Sequence, residues 1–424
     1  MSGWRETTLG ALCAEGGGGI QTGPFGSQLH ASDYVLDGIP SVMPQNIGDN
    51  FIHEEGIARI QEADALRLAK YRMRKGDIVY SRRGDVEKRA LVRENNEGWL
   101  CGTGCLRVRL GEQSDHDPAF VSYLLGTEET RAWIVRHAVG ATMPNLNTSI
   151  LSAVPLVIPE PAVQQAVAEV LAAFDDKIVA NTRLAQTLDE YLMSRWTALS
   201  LSETLERVKL DGLVQDVIGG DWGTSELADP STEEVLCIRG ADITDLQMSG
   251  LGSMPRRFIK PNSLRRRQLA NLDLVVEMSG GSPTQSTGRA VLITDALLNR
   301  LNLPLSSSNF CRIVRLGNAK NAYVVYALLR DSWSRGEFFQ YENGSTGIKN
   351  LAFSDYCAAK EVPMPSDVEL NDFNQFAGGV FLTMQSIGEE SAHLIRTRDT
   401  LLPQLMSGKL RIKDAEKVLE NAGV

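Results

Sequence analysis

A chain of 424 residues with a formal net charge of −10, 43% hydrophobic and 23% charged side chains, has the make-up of a globular protein of two or three domains. No run approaches the roughly 18 consecutive apolar residues of a membrane span, and the acidic balance argues against a large nucleic-acid surface without bearing on local patches. The opening MSGWRETTLG has no basic stretch ahead of an apolar core, so no secretory signal is expected, and six scattered cysteines (13, 101, 105, 237, 311 and 357) fit reduced thiols in a cytoplasmic protein. In chain order, residues 9–13 are a short apolar stretch, and the four glycines at 16–19 read as a flexible turn, because no Gly-Lys-Ser/Thr comes after them. Residues 21–51 break into short strands and loops at Gly-Pro, Phe-Gly-Ser, Asp-Gly and Ile-Gly-Asp. Residues 77–80 and 106–110 read as strands, 119–139 as a helix, and 150–158 as a strand running straight into a long helix, so that 1–160 forms one α+β unit.

The stretch 161–199 contains no glycine and no proline after Pro161, which suits a first helical turn. Steps of four and three from Val163 reach Val167, Val170, Phe174, Lys177, Asn181, Leu184, Leu188, Tyr191 and Arg195, a heptad seam whose basic breaks lie beside Ile178 and Trp196. Such a helix is roughly 55–60 Å long and needs a partner of similar length. Asn181 either sets the register of that pairing or faces water.

The second half repeats the first. Gly76-Asp77-Ile78-Val79-Tyr80-Ser81 is echoed by Leu272-Asp273-Leu274-Val275-Val276-Glu277, Arg89-Ala90-Leu91-Val92 by Arg289-Ala290-Val291-Leu292, and Cys105-Leu106-Arg107-Val108-Arg109 by Cys311-Arg312-Ile313-Val314-Arg315. The loops at 140–146 and 344–351 correspond with one residue inserted, and Val154-Pro155 answers to Val362-Pro363. The order is kept and the offsets all lie near two hundred residues. The repeat predicts a second long helix, and from Phe373 a seam runs Phe376, Val380, Met384, Ile387, Ser391, Leu394, Arg398, Leu401 and Leu405, ending near Gly408. Gly378, Gly379, Gly388 and Pro403 weaken it, by about 1 kcal/mol for each glycine and about 3 kcal/mol for the proline, so it needs the first helix beside it.

Basic residues are segregated. Between Arg67 and Arg93 stand ten Lys/Arg, among them Arg72, Arg74, Lys75, Arg82, Arg83, Lys88 and Arg89, against three acids. Between Pro255 and Arg267 stand six, including Arg256, Arg257, Arg265 and Arg266, with no acid. Phosphate is the natural counterpart of such clusters, and a solvated basic face is the other reading. Beside them lie loops of small, hydrogen-bonding residues: Ser81-Arg82-Arg83-Gly84 in one half, and residues 279–287 in the other, with Ser279, Thr284, Gln285 and Ser286. The paired loops at 140–146 and 344–351 add Thr142, Asn145, Ser345, Thr346 and Lys349. Arginine matches the guanine edge and glutamine the adenine edge, so these side chains are candidates for reading a DNA groove.

Catalytic and metal signatures are not found. There is no phosphate-binding Gly-Lys-Ser/Thr loop, no HExxH and no paired CxxC, and Cys101 and Cys105 read as buried thiols. The five histidines share no motif, and neither the Asn/Asp-Pro-Pro-aromatic signature of an amino-methyltransferase nor a glycine-rich cofactor loop between a strand and a helix is present.

The layout, with Thr22-Gly23-Pro24-Phe25-Gly26-Ser27-Gln28-Leu29, Met43-Pro44-Gln45-Asn46-Ile47 and Arg398-Asp399-Thr400-Leu401-Leu402-Pro403-Gln404-Leu405-Met406-Ser407-Gly408, resembles the specificity subunit of type I restriction–modification enzymes over essentially the whole chain. The resemblance implies an α+β architecture of two target-recognition globules separated by two long antiparallel coiled-coil helices, with an internal two-fold-like repeat: a first globule at 1–160, a spacer helix at 161–200, a second globule at 201–366, and a second spacer helix and tail at 367–424. It further implies a non-catalytic subunit of a restriction system serving phage defence, each globule reading one half of a bipartite site in double-stranded DNA. The helices, through Val167, Val170, Phe174, Leu184, Leu188, Phe376, Val380, Leu394, Leu401 and Leu405, would pair, set the unread spacer and dock two methyltransferase subunits. Those partners would carry S-adenosylmethionine and the adenine methylation chemistry, a motor-nuclease subunit would join for cleavage, and this chain would need no cofactor or metal. The loop at 279–287 departs from the first half in lacking an Arg pair, so the two halves are expected to read different sequences. The alternatives are the recognition subunit of another multisubunit defence methyltransferase, and a non-catalytic coiled-coil scaffold binding acidic proteins.

Overall fold

The computed structural model describes residues 4–140, 143–202, 205–282, 285–344 and 348–424. The fold is mixed α+β, and the chain divides into two units, Met1–Asp176 with Ile395–Val424, and Lys177–Leu394; the division falls inside both long helices.

In the first unit, Ile78, Val79 and Tyr80 are wholly buried, as are Cys105 and Leu106. Short apolar runs covered on both faces become central strands. They lie in a five-stranded sheet ordered Gly19–Thr22, Cys105–Arg109, Ile78–Ser81, Arg89–Leu91, Asp49–Asn50, with Cys105 opposite Ser81. A four-stranded sheet adjoins it, in which Ile39–Val42 pairs in parallel with Leu100–Cys101. Arg5–Thr8 pairs antiparallel with Pro155–Ile158, tying the start of the chain to the entry of the first long helix.

The second unit uses the same connectivity. Its four-stranded sheet is ordered Val214–Gly219, Cys311–Leu316, Leu274–Glu277, Ala290–Leu292, with Cys311 opposite Glu277. Glu233–Ile238 pairs in parallel with Leu305–Ser307, and Glu206–Lys209 pairs antiparallel with Glu361–Met364. All six cysteines are buried free thiols, and burial pushes Cys101 and Cys311 up to about 12. Among the described residues no helix is long and apolar enough to cross a membrane.

Two element boundaries differ from the sequence reading. The helix expected at 119–139 is two, Pro118–Leu125 and Glu128–His137, because Thr127 starts a new helix by accepting from the Thr130 amide. The strand expected over 150–158 begins only at Pro155, since Asn147 caps a short helix, Thr148–Ser152, by accepting from the Ile150 amide. The second long helix is Asp367–Met406, and its apolar seam begins about one and a half turns in, at Phe373. The helix opens on a capping box: the Ser366 amide donates to Glu369 Oε2 (3.0 Å) and the Glu369 amide to Ser366 Oγ (3.4 Å).

The long helices, Pro161–Ser200 and Asp367–Met406, have 40 residues each. In the second unit they run antiparallel, with Tyr191 against Phe376 (5.0 Å between ring centres) and Trp196 against Phe373 (6.2 Å). Val167, Val170, Phe174, Val380, Leu394, Leu401 and Leu405 are buried as the seams require, and Leu188 and Phe376 are half-buried. Leu184 corrects the heptad: it is 47% exposed, and Ala185, Leu192 and Trp196 are buried in place of Leu184, Tyr191 and Arg195. A straight helix drifts about 20° per heptad, so three heptads after Val163 the template is about 60° off. Phe174, Ala185 and Trp196 instead follow an eleven-residue spacing. The water-facing reading of Asn181 is also overturned, for the side chain is buried and bonds across to the other helix. Gly388 is where the second helix meets its own unit: a Cβ there would stand 2.1 Å from the Ser249 carbonyl oxygen.

Candidate nucleic-acid interface

Much of the first basic cluster is neutralised by acids outside the stretch in which it was counted. Arg72 pairs with Glu62 (3.0 Å), Arg74 with Glu112 (2.6 Å) and Lys75 with Glu94 (3.3 Å); Lys88 pairs with Asp85 (3.3 Å) within it. Arg89 corrects the candidate set, because it is 4% exposed and structural. Its Nε donates to the Ser122 carbonyl (2.7 Å), and it pairs with Asp49 (2.9 Å). Arg109 pairs with buried Asp77 (2.6 Å), as Arg315 does with Asp273 (3.1 Å) in the second unit. Arg83 is exposed, and its side chain makes no hydrogen bond or ion pair among the described residues. In the second unit Arg256 pairs with Glu234 (3.3 Å), Arg265 bonds Asn262, and exposed Arg266 has no side-chain partner among the described residues.

The loops singled out in the sequence come together at the end of the central strand in each unit. In the first, the Arg82 amide donates to the Gly104 carbonyl, the Leu146 amide to the Arg82 carbonyl (2.8 Å each) and the Gly84 amide to the Pro144 carbonyl (3.0 Å). Arg83 and Asn145 form a β-bridge. The segment ending at Leu146 is thus strapped over the turn that carries both arginines, and Met143 projects from it, 62% exposed. In the second unit Ser279–Gly280 pairs with Lys349–Leu351, and Ser279 Oγ donates to Asn350 Oδ1 (2.5 Å). Ile348, at the place of Met143, is 60% exposed.

Not every candidate is available there. Ser81 is buried with its hydroxyl on the Arg83 carbonyl (3.1 Å), and Ser286 is buried with its carbonyl accepting from Trp333 Nε1 (3.1 Å). Lys349 donates to Glu342 (2.7 Å) and to the Ser282 carbonyl (3.1 Å). Burial raises the Glu342 carboxyl, but Lys349 and the Thr287 amide outweigh it and hold the group below its ordinary value. Gln285 is exposed. Thr142, Thr284, Ser345 and Thr346 lie outside the described residues.

The candidate set omitted the aromatic turn beside each strap. Gly23 comes after the edge strand of the first sheet and its amide donates to the Cys105 carbonyl (2.9 Å); Gly220 in the second unit donates to the Cys311 carbonyl (3.3 Å). A Cβ would lie 2.1 Å from the Gly102 carbonyl oxygen at Gly23 and 2.1 Å from the Ser308 carbonyl oxygen at Gly220, so both positions require glycine. Two residues on stand Phe25 and Trp222, each with an arginine over its ring. The signal in the sequence was the matched glycine, each preceding an aromatic by two positions.

Residues 48–190 match the family described as the type I restriction modification DNA specificity domain. The chain is 21% identical to the type I restriction enzyme HindI specificity subunit of Haemophilus influenzae, across 97% of this chain and 100% of that protein. It is 24% identical to the type I restriction enzyme MjaIX specificity subunit of Methanocaldococcus jannaschii, across 70% of this chain and 69% of that one. The crystal structure of a type I restriction–modification S subunit from M. genitalium aligns with 95% of this chain and 96% of that chain at 15% identity, with a TM-score of 0.49. Within this chain, then, residues 48–190 match the type I restriction modification DNA specificity domain, and the chain as a whole is similar along its length to a type I restriction enzyme specificity subunit.

Proposed function

We propose that this chain is the DNA sequence-recognition subunit of a type I restriction–modification complex, with 1–160 and 201–366 as two target-recognition globules arranged as an internal two-fold-like repeat. The observation that carries the reading is the recurrence, in both units, of one constellation: a central strand ending in a polar turn, a strap pinned across it, and an exposed apolar tip at Met143 or Ile348. Cations beside exposed apolar and hydrogen-bonding groups match a groove, where phosphates position and base edges specify. Arg265 and Arg266, which form no ion pair among the described residues, supply the electrostatic attraction in this reading. They are joined by Arg72, Arg74, Lys75, Lys88 and Arg256 where phosphate displaces the acids of their surface ion pairs. Arg83, Asn145, Ser279 and Gln285 offer groups to base edges.

The spacer helices at 161–200 and 367–424 act as an antiparallel coiled-coil ruler. Forty residues give a helix about 60 Å long, against about 34 Å for one turn of duplex. A groove of about 530 Å³ in the second unit, lined by Leu188, Tyr191, Phe376 and Val380, supports docking of a methyltransferase subunit on the paired helices. The chain itself is non-catalytic and without cofactor, S-adenosylmethionine and adenine methylation residing in two methyltransferase partners, with motor-nuclease subunits joining for restriction. Binding of the chain with its methyltransferase partner to duplex DNA, measured against salt, tests the reading: a steep fall of log K with log salt is expected. Affinity for acidic proteins with no duplex binding would favour the scaffold reading instead.

A further inference from the structure

Phe25 and Trp222 occupy corresponding turns, and each is capped by an arginine that reaches it from a different element. Arg82 comes directly after the central strand Ile78–Ser81, and its guanidinium carbon lies 5.8 Å from the Phe25 ring centre. Arg257 lies within Arg256–Ile259, in the neighbouring sheet, 4.3 Å from the Trp222 ring centre. The same stacked pair is therefore assembled twice by different routes. Phe25 is 53% and Trp222 36% exposed, so each pair lies at the surface.

The Arg257 pair is held through its guanidinium and the Arg82 pair through its backbone. Arg257 Nε donates to the Trp222 carbonyl (2.9 Å) and Nη2 to the Gly223 carbonyl (3.3 Å), so the side-on edge of its fork is spent on the backbone. Arg82 Nε is buried with no partner among the described residues, and its backbone is pinned on both sides by Gly104 and Leu146. Stacking on a ring restricts how either guanidinium can be re-aimed from one base edge to another, and at Arg257 the backbone bonds restrict it further. The polar turns beside the pairs differ completely, Arg82-Arg83 against Gly280-Gly281-Ser282, so the two units are equipped to read different sequences. A feature common to two such readers cannot carry the sequence that distinguishes them, whereas phosphate is common to every site.

We propose that the stacked pairs Phe25–Arg82 and Trp222–Arg257 are phosphate contacts that position each unit on duplex DNA, base reading being left to unstacked neighbours, Arg83 in the first unit and Gln285 in the second. The proposal rests on the DNA-recognition reading above and divides the labour within it. Adjacent Arg82 and Arg83 thereby differ in kind: one positions and the other reads.

The test uses the full chain co-expressed with its genomic methyltransferase partner, a duplex carrying the methylated motif mapped in that host, and a scrambled duplex. R82A and R257A each weaken both duplexes in parallel and lower the slope of log K against log salt by about one, with the methylated motif unchanged. W222A weakens binding about tenfold while W222F, which keeps a stacking platform, stays near wild type. R257Q, which removes the charge and keeps the reach, guards against a folding defect, and melting curves accompany every variant. R82A or R257A altering the motif at one half-site, or leaving the salt slope unchanged, overturns the proposal and leaves the DNA-recognition reading standing. A wild-type complex with no salt-dependent duplex binding overturns both.

Discussion

Asn181 Nδ2 lies 2.8 Å from Glu390 Oε2 and 3.2 Å from Ser391 Oγ, a polar crossing between the two long helices. A buried amide bonded to one place on the opposite helix penalises any sliding of the pair. Glu390 is half-exposed and keeps its contact with Lys177 (3.4 Å), so Asn181→Ala is expected to cost only about 1 kcal/mol. Asn181→Leu should hold or raise the melting temperature while allowing alternative registers. Denaturation curves, together with cysteine cross-links placed along the seam, separate these outcomes.

The first unit grips the second long helix through Arg398, which pairs with Asp175 (2.7 Å) and Asp49 (2.9 Å). Asp175 is 6% exposed and also accepts from Tyr123 Oη (2.7 Å). Arg398→Met removes the nearer of two cations from buried Asp175 and should destabilise by about 3 kcal/mol, the lower end for a broken buried pair because Tyr123 and Arg93 (3.7 Å) remain. Chemical denaturation of the purified chain measures it.

Acid should weaken the same contact. Burial raises the Asp49 carboxyl, but Arg89 and Arg398 outweigh it and hold the group below its ordinary value of 3.8. A carboxylate with a depressed folded pKa contributes stability above its unfolded pKa and loses it as pH falls through the folded one. The urea midpoint should therefore drop below about pH 4, and Asp49→Asn should be less stable near neutrality with a shallower acid dependence.

Two glycines of the second helix should respond oppositely. Gly379 has open space around its missing Cβ, and Gly379→Ala should stabilise by up to about 1 kcal/mol. At Gly388 the Ser249 carbonyl blocks the same change, so Gly388→Ala should lower the melting temperature despite alanine's better helix propensity. Equal shifts in both variants would show that the packing at Ser249 is not as described.

Arg83→Ala should relax discrimination at one half-site by about 1–3 kcal/mol, whereas Arg89→Ala should lower stability and leave the methylated motif intact wherever the protein is folded. Competition with single-base-pair variants of the site reads the first effect, and melting curves the second.

What was legible in the sequence was what local pattern determines. Ile78, Val79 and Tyr80 form a run that only a buried strand accommodates, and its echo at Leu274, Val275 and Val276 placed the second sheet. The loops that form the straps were legible because they recur in order in both halves, but their pairing across the polar turns was not. Charge was not legible from a window: Glu62, Glu94 and Glu112, which neutralise three of the counted cations, lie outside it, and Arg89 is committed to Asp49 forty residues away. The heptad failed beyond Asn181 because the burial stripe follows eleven residues rather than seven. The Ser366–Glu369 capping box is a polar signal that lies ahead of the apolar seam from Phe373, and it accounts for the first turns that the seam does not reach.

The most direct test of the account compares the methylated adenines of host DNA when the genomic methyltransferase partner is expressed with and without this chain. The account predicts a bipartite motif with a fixed gap that requires both proteins. The same motif persisting without this chain would contradict it, because the partner would then select its own target.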